Sequence, residues 1–370
     1  MSAPPFLTIS RRTRKTPFSK RVHQSGVSAY TVYNHTLLPT IFESIEADYR
    51  HLKKHVQIWD VTCERQVEVS GPDSNQLIQM LTPRNLDGFK PGKCFYAPIT
   101  DKNGGMLNDP IFLKIDKNKY WLSISDSDVL LWVKGLAYGM GLNVLIDEPE
   151  VAPLAIQGPK SAKLAARIFG EQVHQIEFFN YSMLAFHGCK LLVSRSGWSK
   201  QDGFEIFVTG TDIAEPLWDA LFKSGEDLNV RAGCPNLIER IEAGLLSYGN
   251  DMTRENNPYE CGLGRFCEPE SAVHCIGRNA LLKVAAHGPK KQIRNFSITG
   301  NALEPCVHPW PLFANGKIIG EITSAAWSPC FNTNVALGMI AIELSKDGNQ
   351  VEVETPNGFR DAIVKKSSFI

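Results

Sequence analysis

The chain carries no net charge: 39 Lys and Arg residues balance 39 Asp and Glu residues in a chain of 370. A surface with no positive excess excludes a general nucleic-acid or anionic-membrane coat. Long apolar runs are missing as well. None approaches the ~20 residues that cross a bilayer, so no membrane partner is expected. The basic cluster Arg11, Arg12, Arg14, Lys15, Lys20 and Arg21 is followed by neither an apolar stretch nor a small-residue cleavage site, which argues against a secretory signal. The nine cysteines include no C-x-x-C pair, and their number is odd, so reduced thiols in a cytoplasm are expected rather than a disulfide framework. Cys261, Cys267 and Cys275 lie near His274, but their spacings fit no metal pattern, and no metal is expected. Walker A, G-x-S-x-G and H-E-x-x-H motifs are absent. The segment Gly262-Leu-Gly264-Arg-Phe-Cys267 lacks the third glycine of a dinucleotide fingerprint, which leaves no basis for nicotinamide or flavin.

What the sequence does contain is a repeat. Val67–Leu81 reads VEVSGPDSNQLIQML and Leu154–Ile168 reads LAIQGPKSAKLAARI. Gly71, Pro72, Ser74 and Leu77 match Gly158, Pro159, Ser161 and Leu164 at one constant offset. Each copy reads strand, turn, helix: glycine permits the turn, proline opens the helix and serine is expected to cap it. Strand-like segments follow at 94–99, 111–115 and 120–125 in the first copy, and at 183–187, 190–195 and 204–209 in the second. Each set leads into a helix, at 127–139 and 211–224. Further helices are expected at 37–55, 235–247 and 277–286. From about 290 the helical period stops, and Ala314-Asn315-Gly316-Lys317 marks a hairpin. The expected class is α+β: residues 1–289 hold two related α+β modules, 56–145 and 150–232, around a central cleft, and 290–370 form a small β-barrel-like domain.

Four polar, glycine-containing segments remain for chemistry. They are Asn103-Gly-Gly-Met-Leu-Asn-Asp109-Pro110, Arg195-Ser-Gly197-Trp198 through Gly203-Phe-Glu205-Ile206, Arg240-Ile-Glu242-Ala-Gly through Tyr248-Gly249-Asn-Asp251, and Gly320-Glu-Ile-Thr323-Ser324-Ala-Ala-Trp327-Ser328-Pro329. The repeat offset puts the first two at equivalent places, so a pseudo-two-fold would bring Asp109 and the Trp198–Glu205 loop to one cleft.

Taken in order, these segments resemble the glycine cleavage T-protein family of folate-dependent methyl and aminomethyl transferases over nearly the whole chain. Two places depart from the general pattern. The usual Asp-Asp pair is Asn108-Asp109, and Arg-Thr-Gly-Tyr-Thr-Gly is Arg195-Ser-Gly-Trp198-Ser-Lys200. Pro258-Tyr-Glu-Cys261-Gly-Leu-Gly264 also lacks the signature of the iron–sulfur-assembly branch. The N-terminal segments Arg11-Arg12-Thr-Arg-Lys-Thr-Pro17-Phe18 and Tyr30-Thr-Val-Tyr33-Asn34, with Gly233-Cys-Pro-Asn-Leu-Ile238, are similar to the branch that demethylates dimethylsulfoniopropionate.

That resemblance implies direct methyl transfer from the sulfonium to N-5 of tetrahydrofolate, without metal or covalent intermediate. It implies that Glu205 holds the pterin's amino-pyrimidine edge and that Asp109 faces N-5 as positive charge develops there. A surface strand glutamate and a β-turn aspartate are the plainer alternatives. Tyr96 and Tyr248 would wall the folate slot, and Arg240 would meet the folate tail or pair with Glu242. A sulfonium favours aromatic faces, with Trp198 the leading candidate and Tyr30, Tyr33 and Phe18 behind it, although core packing suits the last three equally. Lys20, Arg21 or Lys200 would take the substrate carboxylate. A quaternary-amine or glycine-derived donor and a silent folate-binding protein are the rival readings. A homodimer is compatible with all of them.

Overall fold

The computed structural model describes residues 8–370. Two sheets, each backed by helices, stand face to face. The first has the strand order Leu145–Asp147, Gln66–Ser70, Lys119–Ser123, Ile111–Asp116, Cys94–Tyr96, all antiparallel. The second has the order Tyr181–Phe186, Cys189–Ser194, Gly203–Thr209, Val151–Gln157, Val56–Asp60, Val230–Gly233, antiparallel except for the last pair. Successive strand residues point to opposite faces, and the sequence uses that rule on both sheets. Phe204, Ile206 and Val208 pack against the helices Ser161–Phe169 and Ala214–Ser224, whereas Phe207 faces the other sheet. Phe112 and Leu122 pack against the helices of the first module, whereas Leu113 and Trp121 face the second sheet. Trp121 and Phe207 meet there with ring centroids 6.2 Å apart.

The repeat is structural. Gly71 and Gly158 adopt φ of 120° and 122°, and each carbonyl accepts from the backbone N–H of Ser74 or Ser161 three residues on. A Cβ would lie 2.8 Å from the Asn143 carbonyl at the first glycine and 2.3 Å from the His55 carbonyl at the second. The serines do not cap. Each is the first helical residue, and its hydroxyl is buried without a hydrogen-bond partner.

Three expected boundaries differ. Strand Val56–Asp60 belongs to the second sheet although the span 56–145 assigns it to the first module. All five of its residues are buried, which suits a strand paired on both edges. The expected helix at 37–55 is strand Thr36–Ile41 followed by helix Ile45–Leu52, where Ser44 Oγ accepts from Ala47 N at 3.0 Å. Pro39 is tolerated because, among the described residues, that strand has a ladder on one edge and only a single bridge, at Thr36 to Arg14, on the other. The helix expected at 235–247 is Leu237–Glu242. Asn236 Oδ1 caps it by accepting from the N–H groups of Ile238 and Glu239, and Gly244, at φ 69°, follows its end.

The C-terminal segment is a closed barrel in the order Lys291–Ile298, Thr333–Ala341, Lys317–Ser328, Trp310–Ala314, Gln350–Thr355, Gly358–Lys365. Its Asn315-Gly316 hairpin has the two positive φ angles expected of such a dipeptide. Ala326, Val335 and Leu337 of the barrel pack on Ile238 and Ile241. Among the described residues, no helix is long and apolar enough to cross a membrane.

Candidate active-site cleft

Glu205 lies on the Phe207 face of its strand, which points it between the sheets. It is 8% exposed, and the Ser196 hydroxyl donates to its carboxylate. Burial pushes its pKa up from the ordinary glutamate range. Asp109 follows the short strand Met106–Asn108. Tyr96 donates to Asp109 Oδ2 at 2.9 Å and Ser125 to Oδ1 at 2.6 Å. Burial outweighs these two bonds and raises the Asp109 pKa to about 6.

Asn108 is what presents Ser125. Its Nδ2 donates to the Ser125 carbonyl and to Ser127 Oγ, both at 2.9 Å, and its Oδ1 accepts from Ser125 N at 3.0 Å. An aspartate could make only the accepting bond. The departure from the family's Asp-Asp pair is therefore a scaffold that needs an amide. The diglycine before it serves the protein rather than a ligand: a Cβ on Gly105 would lie 2.2 Å from the Arg254 carbonyl, and one on Gly104 3.1 Å from Leu281.

A third carboxylate, Glu64, shares the cleft. It sits on the crossover between strand Val56–Asp60 of the second sheet and Gln66–Ser70 of the first. Its sole side-chain hydrogen bond among the described residues comes from Ser123 Oγ at 3.5 Å. Burial raises its pKa most, and the charges of Glu205 and Asp109 raise it further, so Glu64 lies in the field of both other carboxylates. Among the described residues, no salt bridge reaches any of the three. The signal for Glu64 was present in the sequence. Alternation from Val67 and Val69, which face the helices, puts Glu64, Gln66 and Glu68 on the opposite, inter-sheet face.

Tyr33, Tyr96 and Tyr248 stand around Asp109. Burial raises the Tyr33 phenol, and Glu64 and Asp109 raise it further. The Tyr96 ring meets Phe266 edge-on, with centroids 5.1 Å apart. Tyr248 donates to the Met106 carbonyl at 3.0 Å, and burial followed by the Asp109 charge pushes its pKa to about 12.

Three expected residues lie elsewhere or are already occupied. Phe18 is fully buried in the core behind the second sheet, tilted against Trp218, and offers a ligand no surface. Tyr30 is three strand positions from Tyr33 and so faces the other way, and its hydroxyl meets His23 Nδ1 at 3.2 Å. Arg240 is 6% exposed and held by protein: it donates to Asp251 at 2.8 Å, the Leu245 carbonyl at 3.2 Å and Ser324 at 2.7 Å. It pairs with Asp251 rather than Glu242, which binds Tyr49 and Ser328 instead. Its guanidinium carbon is 5.8 Å from the Trp198 ring centroid. Of the carboxylate-anchor candidates, Arg21 is engaged with Asp219 and Glu215, while Lys20 and Lys200 are exposed.

Comparison with known proteins fits this architecture. Residues 18–271 match the GCVT N-terminal domain, and residues 291–370 match the glycine cleavage T-protein C-terminal barrel domain. The chain belongs to the glycine cleavage T-protein family. Within the family, it is 54% identical over 357 residues to the dimethylsulfoniopropionate demethylase DmdA of Ruegeria pomeroyi, covering 96% of this chain and 97% of that protein. It is 29% identical over 339 residues to an aminomethyltransferase of Caldanaerobacter subterraneus, covering 90% of this chain and 89% of that one. The solved structure of the glycine cleavage system aminomethyltransferase T from Bartonella henselae shares the family fold, with a TM-score of 0.86 over 96% of this chain and 97% of that one at 22% identity.

Proposed function

We propose that the chain is a tetrahydrofolate-dependent demethylase of dimethylsulfoniopropionate, yielding 3-(methylthio)propanoate and 5-methyltetrahydrofolate. The observation that carries the choice of substrate is the 54% identity to DmdA over 96% of the chain. The chemistry of the cleft supports it. Buried carboxylates with no salt bridge to them among the described residues favour a ligand that brings positive charge, because a cleft screens charge less than water does.

The donor set fits a reduced folate: Glu205 and Asp109 are acceptors, and an amino-pyrimidine edge presents parallel N–H donors. When bound, folate supplies the nucleophilic nitrogen N-5. In the transfer the C–S bond breaks, its electron pair stays on sulfur and the methyl carbon bonds to nitrogen, so one positive charge moves from sulfur to nitrogen and then leaves as the N-5 proton, giving neutral 5-methyltetrahydrofolate. Asp109 is already oriented by Tyr96 and Ser125, and stabilises the charge at its destination without reorganising. Glu64, held only weakly by Ser123, has free acceptor capacity, and we assign it to the substrate cation together with Tyr33 and Trp198. Tyr96 and Tyr248 wall the folate slot.

In this reading residues 1–289 form the catalytic unit and 290–370 a supporting β domain. The free thiols support a cytoplasmic setting. A homodimer belongs to the proposal, and sedimentation that finds only a 41.1 kDa species removes that part.

The deciding experiment gives the purified protein tetrahydrofolate with dimethylsulfoniopropionate or with a quaternary ammonium analogue, and measures thioether and methylated folate. Equimolar thioether and 5-methyltetrahydrofolate are expected from the sulfonium. Turnover of the ammonium alone, or folate binding without product, overturns the reading.

A further inference from the structure

The loop that carries Trp198 is held by two buried side chains, Gln157 and Glu239. The loop spans 195–202, between strands Cys189–Ser194 and Gly203–Thr209. Gln157, the last residue of strand Val151–Gln157, is fully buried beneath it. Gln157 Nε2 donates to the Ser196 carbonyl at 3.3 Å, and its Oε1 accepts from Ser199 Oγ at 2.7 Å. The loop closes round this amide. A Cβ on Gly197 would lie 2.0 Å from Gln157 Nε2, and one on Gly203 2.2 Å from it. Both glycines are therefore required by a protein side chain rather than by a ligand.

The second hold comes from helix Leu237–Glu242. Glu239 is 1% exposed, and its Oε1 accepts from Lys200 N at 2.7 Å and from Gln201 Nε2 at 3.3 Å. The next residue, Arg240, lies over the Trp198 ring and is fixed to Asp251 and to Ser324 of the barrel. Trp198 thus has Gln157 bonds on each side of it in sequence, Glu239 bonds just beyond, and a guanidinium against its ring. A carboxylate buried to receive a backbone N–H costs desolvation, and a loop that needed only to close would not require one.

We propose that Gln157 and Glu239 are positioning residues that set where the Trp198 ring stands, and that preference for a sulfonium over its neutral thioether is fixed by them from outside the cleft. The proposal rests on the assignment of Trp198 to the substrate cation. Cation–aromatic attraction depends on ring placement within about 6 Å, so loosening the loop should weaken cation binding before it disturbs folate.

The test is a double-mutant cycle read by equilibrium binding of the sulfonium, the thioether and folate, with thermal unfolding as the check on folding. Glu239→Ala and Gln157→Met should each weaken sulfonium binding by about five- to thirty-fold while thioether affinity stays within about two-fold; folate affinity should stay within about two-fold in Glu239→Ala, and should fall less than sulfonium affinity in Gln157→Met, which also frees the Ser196 segment that bonds Glu205. Glu239→Gln keeps an acceptor for Lys200 N–H and should recover most of the loss. In a Trp198→Leu background neither change should weaken the sulfonium further. If the Trp198→Leu protein binds sulfonium as wild type does, the assignment of Trp198 fails, and the positioning proposal with it. If Trp198→Leu weakens binding but folded Glu239→Ala and Gln157→Met do not, if these two weaken all three ligands equally, or if Glu239→Gln weakens the sulfonium as much as Glu239→Ala does, the positioning proposal alone is overturned.

Discussion

At the scale of single residues, the cleft separates three carboxylates by their partners. Glu205 has one hydroxyl donor, Asp109 has two, and Glu64 has a single long contact. Each should fail differently. Glu205→Gln replaces an acceptor oxygen with a donor and should weaken folate binding by ~1–3 kcal/mol, read by calorimetry. Unchanged affinity in a folded variant would remove Glu205 from the pterin edge. Asp109→Asn keeps the shape and removes the charge, so single-turnover methyl transfer should slow more than either substrate's binding weakens. The pH dependence has a definite sign. Burial has raised Asp109 to about 6, so the active carboxylate form is lost as pH falls through that value. Glu205 and Glu64 are raised too and protonate in the same direction, which broadens the fall. Single-turnover rates from about pH 5 to about pH 8 should decline on the acid side, and Asp109→Asn should flatten part of that decline. A rate that rises towards acid pH would contradict the assignment. Glu64→Gln should weaken the sulfonium selectively, because a neutral amide gives a cation that donates no hydrogen bond little to bind.

At the scale of elements, local chemistry was legible in the sequence and long-range exchange was not. The matched Gly-Pro-x-Ser turns gave two structurally equivalent strand–helix units, and alternation along Gly203–Thr209 put Glu205 between the sheets. The Asn-Gly dipeptide gave the barrel hairpin. Hidden from local pattern were the strand Val56–Asp60, which crosses to the other sheet, and the early end of the Asn236-capped helix at Glu242, just before Gly244. Also hidden was the partnership of Arg240 with a barrel serine 84 residues away. Phe18 failed as a cage residue for a related reason: an aromatic beside a cleft motif in sequence can be core in space. The turn itself is testable. Gly158→Ala and Gly26→Ala both put a side chain at positive φ, but only the first drives a Cβ to 2.3 Å from a backbone carbonyl; the second meets nothing within 4 Å. Gly158→Ala should lose ~2 kcal/mol or more beyond the loss at Gly26, by urea unfolding. Equal losses would mean the backbone relaxes and the close approach is unimportant.

At the scale of the whole molecule, Arg240 joins the barrel to the catalytic region. Its partner Asp251 also accepts from Ser247 N at 2.9 Å, Thr323 Oγ1 at 2.7 Å and Ser324 Oγ at 2.6 Å, so the barrel segment 323–324 and the chain at 247–251 converge on one ion pair. The arginine's side chain is 7% exposed and the aspartate's is fully buried. Removing only the cation strands a buried carboxylate, which typically costs ~3–5 kcal/mol, whereas replacing both charges by apolar groups of similar size is often much less harmful. Arg240→Met should therefore lower the thermal midpoint of the full chain clearly, and Arg240→Met with Asp251→Leu should recover part of the loss. The same pair separates this role from the folate-tail role that the family motif suggests. An arginine that holds the tail would lose affinity for folate while binding to the pterin ring alone stayed unchanged. An arginine that holds the barrel would weaken both alike, in step with stability. A selective loss of tail-dependent affinity at unchanged stability would return Arg240 to the binding site and leave the barrel junction to the apolar contact of Ile238 and Ile241 with Ala326, Val335 and Leu337.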